Sequence, residues 1–102
     1  MSNPLTYQDF EPYLQQAFLT SVEQVPKITL IEVKRLRDGY QPGARDQFSL
    51  LFVGPAAPIL PQQTYVLRHQ QMGEVRGFLV PVGRQNNHHD PSQPLLYQAV
   101  YT

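Results

Sequence analysis

Turn-forming residues constrain the fold of this chain more than any other feature of its sequence. From Ala17 onward, short runs of apolar and β-branched residues are separated by segments rich in Gly, Pro, Asn and Asp. Runs of this length are typical of antiparallel strands joined by short loops. Because a parallel α/β fold needs long helices between its strands, the pattern excludes that class.

The N-terminal segment carries a different, helical pattern. Its apolar residues recur at i, i+3, i+4, i+7 and i+8, which places them on one stripe of an amphipathic helix: Phe10, Tyr13, Leu14, Ala17 and Phe18. Thr6 and Asp9 resemble a capping box. Pro12 is compatible with a helix only within its first turn and kinks it elsewhere. We therefore predict one short helix at residues 6–16.

Six runs after the helix are strand candidates, at residues 17–23, 27–37, 47–53, 64–71, 75–82 and 95–101. The second run changes phase at Leu30–Ile31, which indicates a bulge or burial on both faces. The third is apolar on both faces, as in a central strand. The fourth and fifth flank a short turn containing Gly73 and form the best hairpin in the chain.

These elements predict a mainly β (α+β) fold in a single domain of residues 1–102. A helix at 6–16 precedes antiparallel structure over 17–102, arranged as a small barrel or strongly curved sheet. The helix covers one open end or edge. A two-layer β-sandwich is the alternative. A length of 102 residues with 41% hydrophobic residues suits one ordinary core.

Composition excludes several classes of function. Without Cys there is no disulfide framework, thiolate zinc site, iron–sulfur cluster or cysteine nucleophile. The formal net charge of +0 removes the electrostatic argument for nucleic acid or anionic lipid as the main partner. The longest apolar stretch is broken by prolines, and the N-terminus lacks the basic region of a secretion signal. We expect a soluble, cytoplasmic protein that does not bind membranes.

Three groups of residues offer chemistry, and each has a simpler explanation. His88, His89 and Asp90 are potential metal ligands, but they lie in a polar loop with no third His or Cys nearby. Lys34–Arg37 is the one basic run; acidic neighbours interrupt it, and an edge strand commonly carries such charges, so nucleic acid is an unlikely partner. A hydrolytic triad has its residue types in name only, without a nucleophile elbow: Ser21 or Ser49, His69, and Asp38 or Asp46. We predict no catalytic, cofactor-binding or metal-binding residue and no enzyme.

The apolar, proline-rich segment Gly54–Pro61 is more informative. Ile59 and Leu60 lie outside any periodic element, so they either fold back to plug a barrel end or form an exposed contact for a partner. The C-terminal strand likewise either closes the barrel or pairs with another chain. The partner-binding residues predicted from these two segments are Pro55, Pro58, Ile59, Leu60, Tyr97 and Tyr101.

The leading functional hypothesis is a non-enzymatic protein-binding or assembly module that recognises a protein partner or itself, as a homo-oligomer. It rests on the apolar loop and on a near-neutral, Gln-rich surface. The alternative is a small-ligand carrier with a pocket in the barrel mouth, lined by Tyr65, His69, Phe78 and Tyr97. An enzyme is the third hypothesis, and it requires His69 to meet a carboxylate.

Motifs along nearly the whole chain resemble a family of small bacterial domains of unknown function. The matching segments are Phe10–Pro12, Phe48–Phe52 with Gly54–Pro55, Tyr65 with His69, Gly73, Phe78–Gly83 and Tyr97–Val100. The family pattern often places Gly where this chain has Gln15 and Thr64. The resemblance implies an association with phage-tail-like or tail-collar proteins and an accessory role in assembling larger structures. It carries over no catalytic residue.

Overall fold

The computed structural model of the chain describes residues 6–35, 47–87 and 89–101. A single α-helical turn, α1, continues into a 3-10 turn at Glu11–Tyr13. The elements are α1 (Tyr7–Phe10), β1 (Ala17–Val22), β2 (Val25–Arg35), β3 (Phe48–Gly54), β4 (Gln63–His69), β5 (Gly73–Arg84) and β6 (Leu95–Tyr101). The predicted mainly β fold, with one short N-terminal helix, is confirmed.

The strands close into a barrel in the order β1-β2-β3-β6-β5-β4, and neighbouring strands are antiparallel. The barrel prediction is therefore correct, and the sandwich alternative is not. β6 lies between β3 and β5, so the C-terminal strand closes the barrel and has no edge to offer another chain. β1 and β4 are joined at one residue pair, Leu19↔Arg68, whereas β6 pairs with β3 from Phe48↔Tyr101 to Gly54↔Leu95.

Side chains fill the barrel interior. Alternate residues of each strand point inward, as the two-residue period of a strand requires. A barrel this narrow leaves room for side chains alone. The buried residues include Phe18, Ile28, Leu30, Leu50, Phe52, Leu67, Leu79, Tyr97 and Ala99.

The register of β2 shifts between Leu30 and Glu32, where the sequence changes phase, so the predicted bulge is present. A second shift lies in β5 between Pro81 and Gly83. After the first shift, Glu32 and Lys34 both lie on the outside of the barrel opposite β3 residues Leu51 and Ser49. The bulge therefore places two opposite charges next to each other on the outer surface.

The helix covers one end of the barrel but is shorter than predicted. Phe10 is fully buried there, and its ring lies 5.8 Å from Phe48 and 5.7 Å from Tyr101. Pro12 lies in the 3-10 turn, and Gln15 has φ 67, which ends helical structure. The backbone N–H of Gln15 donates to the backbone carbonyl of Leu30 in β2 at 2.7 Å, so at Gln15 the chain already bonds to the sheet.

None of the described helical segments is long and apolar enough to cross a bilayer.

Candidate functional site

His69 is tied into a structural turn. It is 7% exposed, and its ring lies 4.4 Å from that of Tyr13 and 4.8 Å from that of Phe18. Nδ1 accepts a hydrogen bond from the backbone N–H of Gln71 at 3.0 Å, so the ring proton resides on Nε2, which donates to Gln16 Oε1 at 2.7 Å. The partner of His69 is an amide rather than the carboxylate that the enzyme hypothesis requires.

The other residues of the hypothetical triad do not converge on His69. Ser49 lies on β3 and points out of the barrel, whereas His69 lies on β4 and points inward. Ser21 is exposed near the end of β1. Asp38 and Asp46 lie outside the described residues. No described serine therefore meets the imidazole.

The candidate metal ligands are used for loop structure. The Asp90 carboxylate accepts hydrogen bonds from the Ser92 hydroxyl at 2.7 Å and from its backbone N–H at 2.9 Å, and these bonds lower the pKa of Asp90. His89 donates its backbone N–H to Asn87 Oδ1, and His88 lies outside the described residues. Within the described ranges, no three His, Asp or Glu side chains are grouped to hold a metal.

The proline-rich segment Gly54–Pro61 plugs the barrel end opposite the helix. Leu60 is 1% exposed, and its backbone N–H donates to the hydroxyl of Tyr97 at 3.0 Å. The Tyr65 hydroxyl donates to the carbonyl of Pro61 at 2.6 Å, and burial raises the pKa of Tyr65. Two tyrosines from the barrel interior therefore hold this segment on either side of Leu60.

Arg84 fastens the same segment to the loop between β5 and β6. Its Nη1 donates to the carbonyls of Ala56 at 3.0 Å, Pro91 at 3.1 Å and Gln93 at 2.8 Å. All three contacts are made by Nη1, and they tie the proline-rich segment to the β5–β6 loop. Arg84 is therefore a structural residue at this end of the barrel.

The predicted partner-binding residues divide into buried and accessible ones. Leu60 and Tyr97 are buried, so these two predictions need correction, because neither residue can contact a partner in this conformation. Tyr101 is half-buried, with its ring stacked on Phe48 at 4.9 Å. Pro55, Pro58 and Ile59 are exposed, Ile59 by 54%.

The predicted carrier pocket does not form from its four residues. Tyr65 and Tyr97 point inward, with their hydroxyls bonded to the proline-rich segment. His69 lies at the opposite end of the barrel, and Phe78 points out of it, 46% exposed. The placement of Phe78 inside the barrel is therefore corrected. A groove of 450 Å³ lies on the outside, along the β1–β4 seam, lined by Ala17, Leu19, Arg68, His69 and Gln70.

The outer face of β3, β6 and β5 carries several neighbouring apolar side chains that are exposed or partly exposed. Phe78, Val82 and Val100 are each nearly half exposed. Their outward-pointing neighbours on these strands are also mostly aliphatic and partly exposed. We call this surface the apolar face; it consists of Leu51, Val53, Phe78, Val80, Val82, Leu96 and Val100.

Strand register arranges the centre of the apolar face in two parallel rows, each ending in a charge on β2. We call them the lysine row and the glutamate row. The lysine row is Lys34, Ser49, Val100 and Phe78, where Phe78 follows from the register one step beyond Leu79↔Ala99. The glutamate row is Glu32, Leu51, Gln98 and Val80.

The sequence analysis placed Phe78 in the barrel mouth, whereas the face of β5 that carries Phe78, Val80 and Val82 is the outer one. The register of the predicted hairpin contains the missing information. Leu67 of β4 points inward, and it pairs with Val75 of β5. Because alternate residues share a face, Val75 and Leu79 are then internal and Phe78 is external.

A family model described as Domain of unknown function (DUF6916) matches residues 5–101, nearly the whole chain. The chain belongs to the DUF6916 family. The resemblance to a family of domains of unknown function is thereby confirmed. Neither the curated proteins nor the solved structures contain a match to the chain.

Proposed function

We propose that this DUF6916 domain is a non-enzymatic protein-binding module whose contact surface is the apolar face. The observation that carries the proposal is the continuity of that face across β3, β6 and β5, with Phe78, Val82 and Val100 each nearly half exposed. Single exposed apolar residues are normal on a soluble protein, whereas contiguous ones are typical of interaction sites. Covering them with a complementary protein surface removes apolar area from water, which favours association.

The strands beneath the apolar face support this function because they are firmly held. β6 pairs with β3 along its whole length and with β5 from Arg84↔Leu95 to Leu79↔Ala99. Side chains on a rigid sheet lose little conformational freedom on binding. A role for Pro55, Pro58 and Ile59 at the barrel end, an accessory role in a phage-tail-like assembly, and a cytoplasmic location remain predictions from the sequence.

The experiment immobilises the wild-type protein and variants that each change one surface, and it compares the protein partner that each of them retains. Phe78→Thr with Val100→Thr makes the apolar face more polar while placing a residue of high β propensity at both strand positions. Leu19→Thr is the matched control, because Leu19 is 52% exposed on β1, which lies opposite β6 in the barrel order. Ile59→Thr tests the proline-rich segment in the same way.

We expect the wild-type, Leu19→Thr and Ile59→Thr proteins to retain the same protein partner, including further copies of the chain, and the Phe78→Thr/Val100→Thr protein to lose it. Circular dichroism and thermal unfolding confirm that each variant is folded. Equal retention by all four proteins, or retention by none, contradicts the proposal. Loss on Ile59→Thr alone assigns binding to the barrel end instead of the apolar face.

A further inference from the structure

We propose that the N-terminal segment is a lid over an aromatic binding site at the helix end of the barrel, and that the opened site accepts an aromatic side chain of another polypeptide. We call residues 6–14 the lid; they include α1 and the 3-10 turn. In the closed position the lid fills the site with its own Phe10. The site lies at the barrel end, so it goes beyond the proposed function of the apolar face and does not depend on it.

Three aromatic rings from different strands line the site. The fully buried ring of Phe10 lies 6.4 Å from that of Phe18, 5.8 Å from that of Phe48 and 5.7 Å from that of Tyr101. Aromatic pairs at such separations attract each other beyond what the burial of their area supplies. When Phe10 leaves, the space behind it therefore has the size and the lining that suit one aromatic side chain.

Side chains alone hold the lid on the barrel. Within the described ranges, no hydrogen bond joins the lid to a strand, and its own bonds, such as the one from the Asp9 N–H to the Thr6 carbonyl, are internal. The first backbone bond to the sheet comes after the lid, from the Gln15 N–H to the Leu30 carbonyl. Opening of the lid therefore breaks at most that one bond between backbone groups and leaves the strand pairing intact.

Phe10 is the one fully buried side chain of the lid. Tyr7 and Tyr13 flank it and are partly exposed. The guanidinium carbon of Arg35 lies 4.7 Å from the centre of the Tyr7 ring, and the ring of His69 lies 4.4 Å from that of Tyr13. Because contacts at partly exposed rings contribute less than full burial, the lid stays closed mainly through Phe10.

The hinge of the lid lies at Leu14 and Gln15. Leu14 is 37% exposed, with φ -57 and ψ 141, and Gln15 has φ 67. The closed lid thus keeps a non-glycine residue in the left-handed region, which is strained. Rotation at Gln15 returns this residue to ordinary extended backbone. Release of the strain therefore offsets part of the cost of exposing Phe10.

Limited digestion of the wild-type chain with chymotrypsin tests the opening of the lid. The protease takes the side chain beside the cut bond into its own pocket, so cleavage after Phe10 requires this ring to leave the barrel. Cleavage after Phe52, which is equally buried but lies in β3, requires the barrel to unfold. Mass spectrometry measures both initial rates, and each is divided by the rate for the same bond in a synthetic peptide.

We expect the corrected rate after Phe10 to be about a hundredfold higher than that after Phe52. Gln15→Gly relieves strain in the closed lid and should slow the cut after Phe10 about threefold. Asn86→Gly is the matched control, since Asn86 has the same φ but lies far along the chain in the β5–β6 loop, and it should leave this rate unchanged. Equal corrected rates after Phe10 and Phe52 overturn the lid.

A peptide of residues 6–14 tests the site itself. It is added at about 5 mM to the Phe10→Ala chain, whose own lid lacks the ring. We expect it to raise the thermal midpoint of that chain by about 4 °C, and the same peptide carrying Phe10→Ala to have no effect. Phe10→Leu replaces the alanine variant if the latter does not fold. No rise with either peptide, or an equal rise with both, overturns the aromatic site.

Discussion

The hydroxyl of Tyr97 accepts a hydrogen bond from the backbone N–H of Leu60 at 3.0 Å, inside the barrel. The two residues lie on different elements, β6 and the proline-rich segment. A buried backbone N–H must be satisfied, so this hydroxyl fixes the position at which the segment enters the core. Leu60 then fills the barrel end, while the neighbouring Ile59 stays in solvent.

We expect Tyr97→Phe to lower the free energy of unfolding by about 1–3 kcal/mol, because it leaves the Leu60 N–H buried and unpaired. Tyr65→Phe is the matched control. It removes a hydroxyl bonded to the carbonyl of Pro61, which is exposed and can bind water instead. Denaturant unfolding of both variants measures the difference, and equal losses would contradict the assigned role of Tyr97.

Gly77 is required by the close approach of Tyr101. A Cβ on Gly77 lies 3.0 Å from the Tyr101 hydroxyl, whose ring is held in a stack with Phe48. We expect Gly77→Ala to destabilise the domain by about 1–3 kcal/mol and to cost less in a Tyr101→Phe background, where the clashing oxygen is absent. A double-mutant cycle with a coupling energy of about 1 kcal/mol confirms this contact, and strict additivity contradicts it.

The ionisation of Tyr101 makes the free energy of unfolding depend on pH in the alkaline range. Burial raises the pKa of Tyr101 to about 12 from its ordinary value of 10.0. Below pH 10 the hydroxyl is neutral in both states; above it, the unfolded chain loses the proton first, so stability falls as pH rises from 10 to 12. The loss is about 2 kcal/mol after allowing for partial exposure of the ring.

Denaturant unfolding at pH 8 and at pH 12 tests this dependence. We expect Tyr101→Phe to be less stable than the wild type at pH 8, because it loses the hydrogen bond to the Arg76 carbonyl. The same variant should lose less stability than the wild type over that interval. A slight decline remains from Tyr65, whose pKa burial also raises. Parallel declines in the two proteins would show that Tyr101 is not responsible.

Gln15 adopts a backbone conformation that favours glycine. Its φ is 67, and its exposed side chain makes no contribution to the core. We expect Gln15→Gly to raise the free energy of unfolding by about 0.5–1 kcal/mol. Asn86→Gly is the control, since Asn86 also has φ 67 but Asn tolerates this region well, so its gain is smaller. Thermal unfolding of both variants ranks them, and the reverse order contradicts the explanation.

Local patterns predicted most of the fold. Turn residues located the strands, β6 has the bounds expected for it, and the phase change at Leu30–Ile31 marked the β2 bulge. The helix was predicted too long because its apolar stripe continues into β1 through Phe18, which a period alone cannot separate from a helix. Pro12 and the φ of Gln15 end it earlier.

The candidate site was harder to predict because strand periodicity assigns residues to a common face without saying which face is inside. Both faces of β5 carry apolar residues, so Phe78 could not be placed before its pairing with β4 was known. Leu60 and Ile59 belong to no periodic element, and a hydrogen bond from β6 decides which of them is buried. Long-range pairing supplied both answers.

The single residue pair between β1 and β4 makes this seam the place where we expect the barrel to open locally. Local opening starts where the fewest backbone bonds must break, so amide exchange should begin at Leu19 and Arg68. β1 lies opposite β6 in the barrel order. We therefore expect local opening to be concentrated on the side of the molecule away from the apolar face, so that the apolar face keeps a constant shape while the far side opens and recloses.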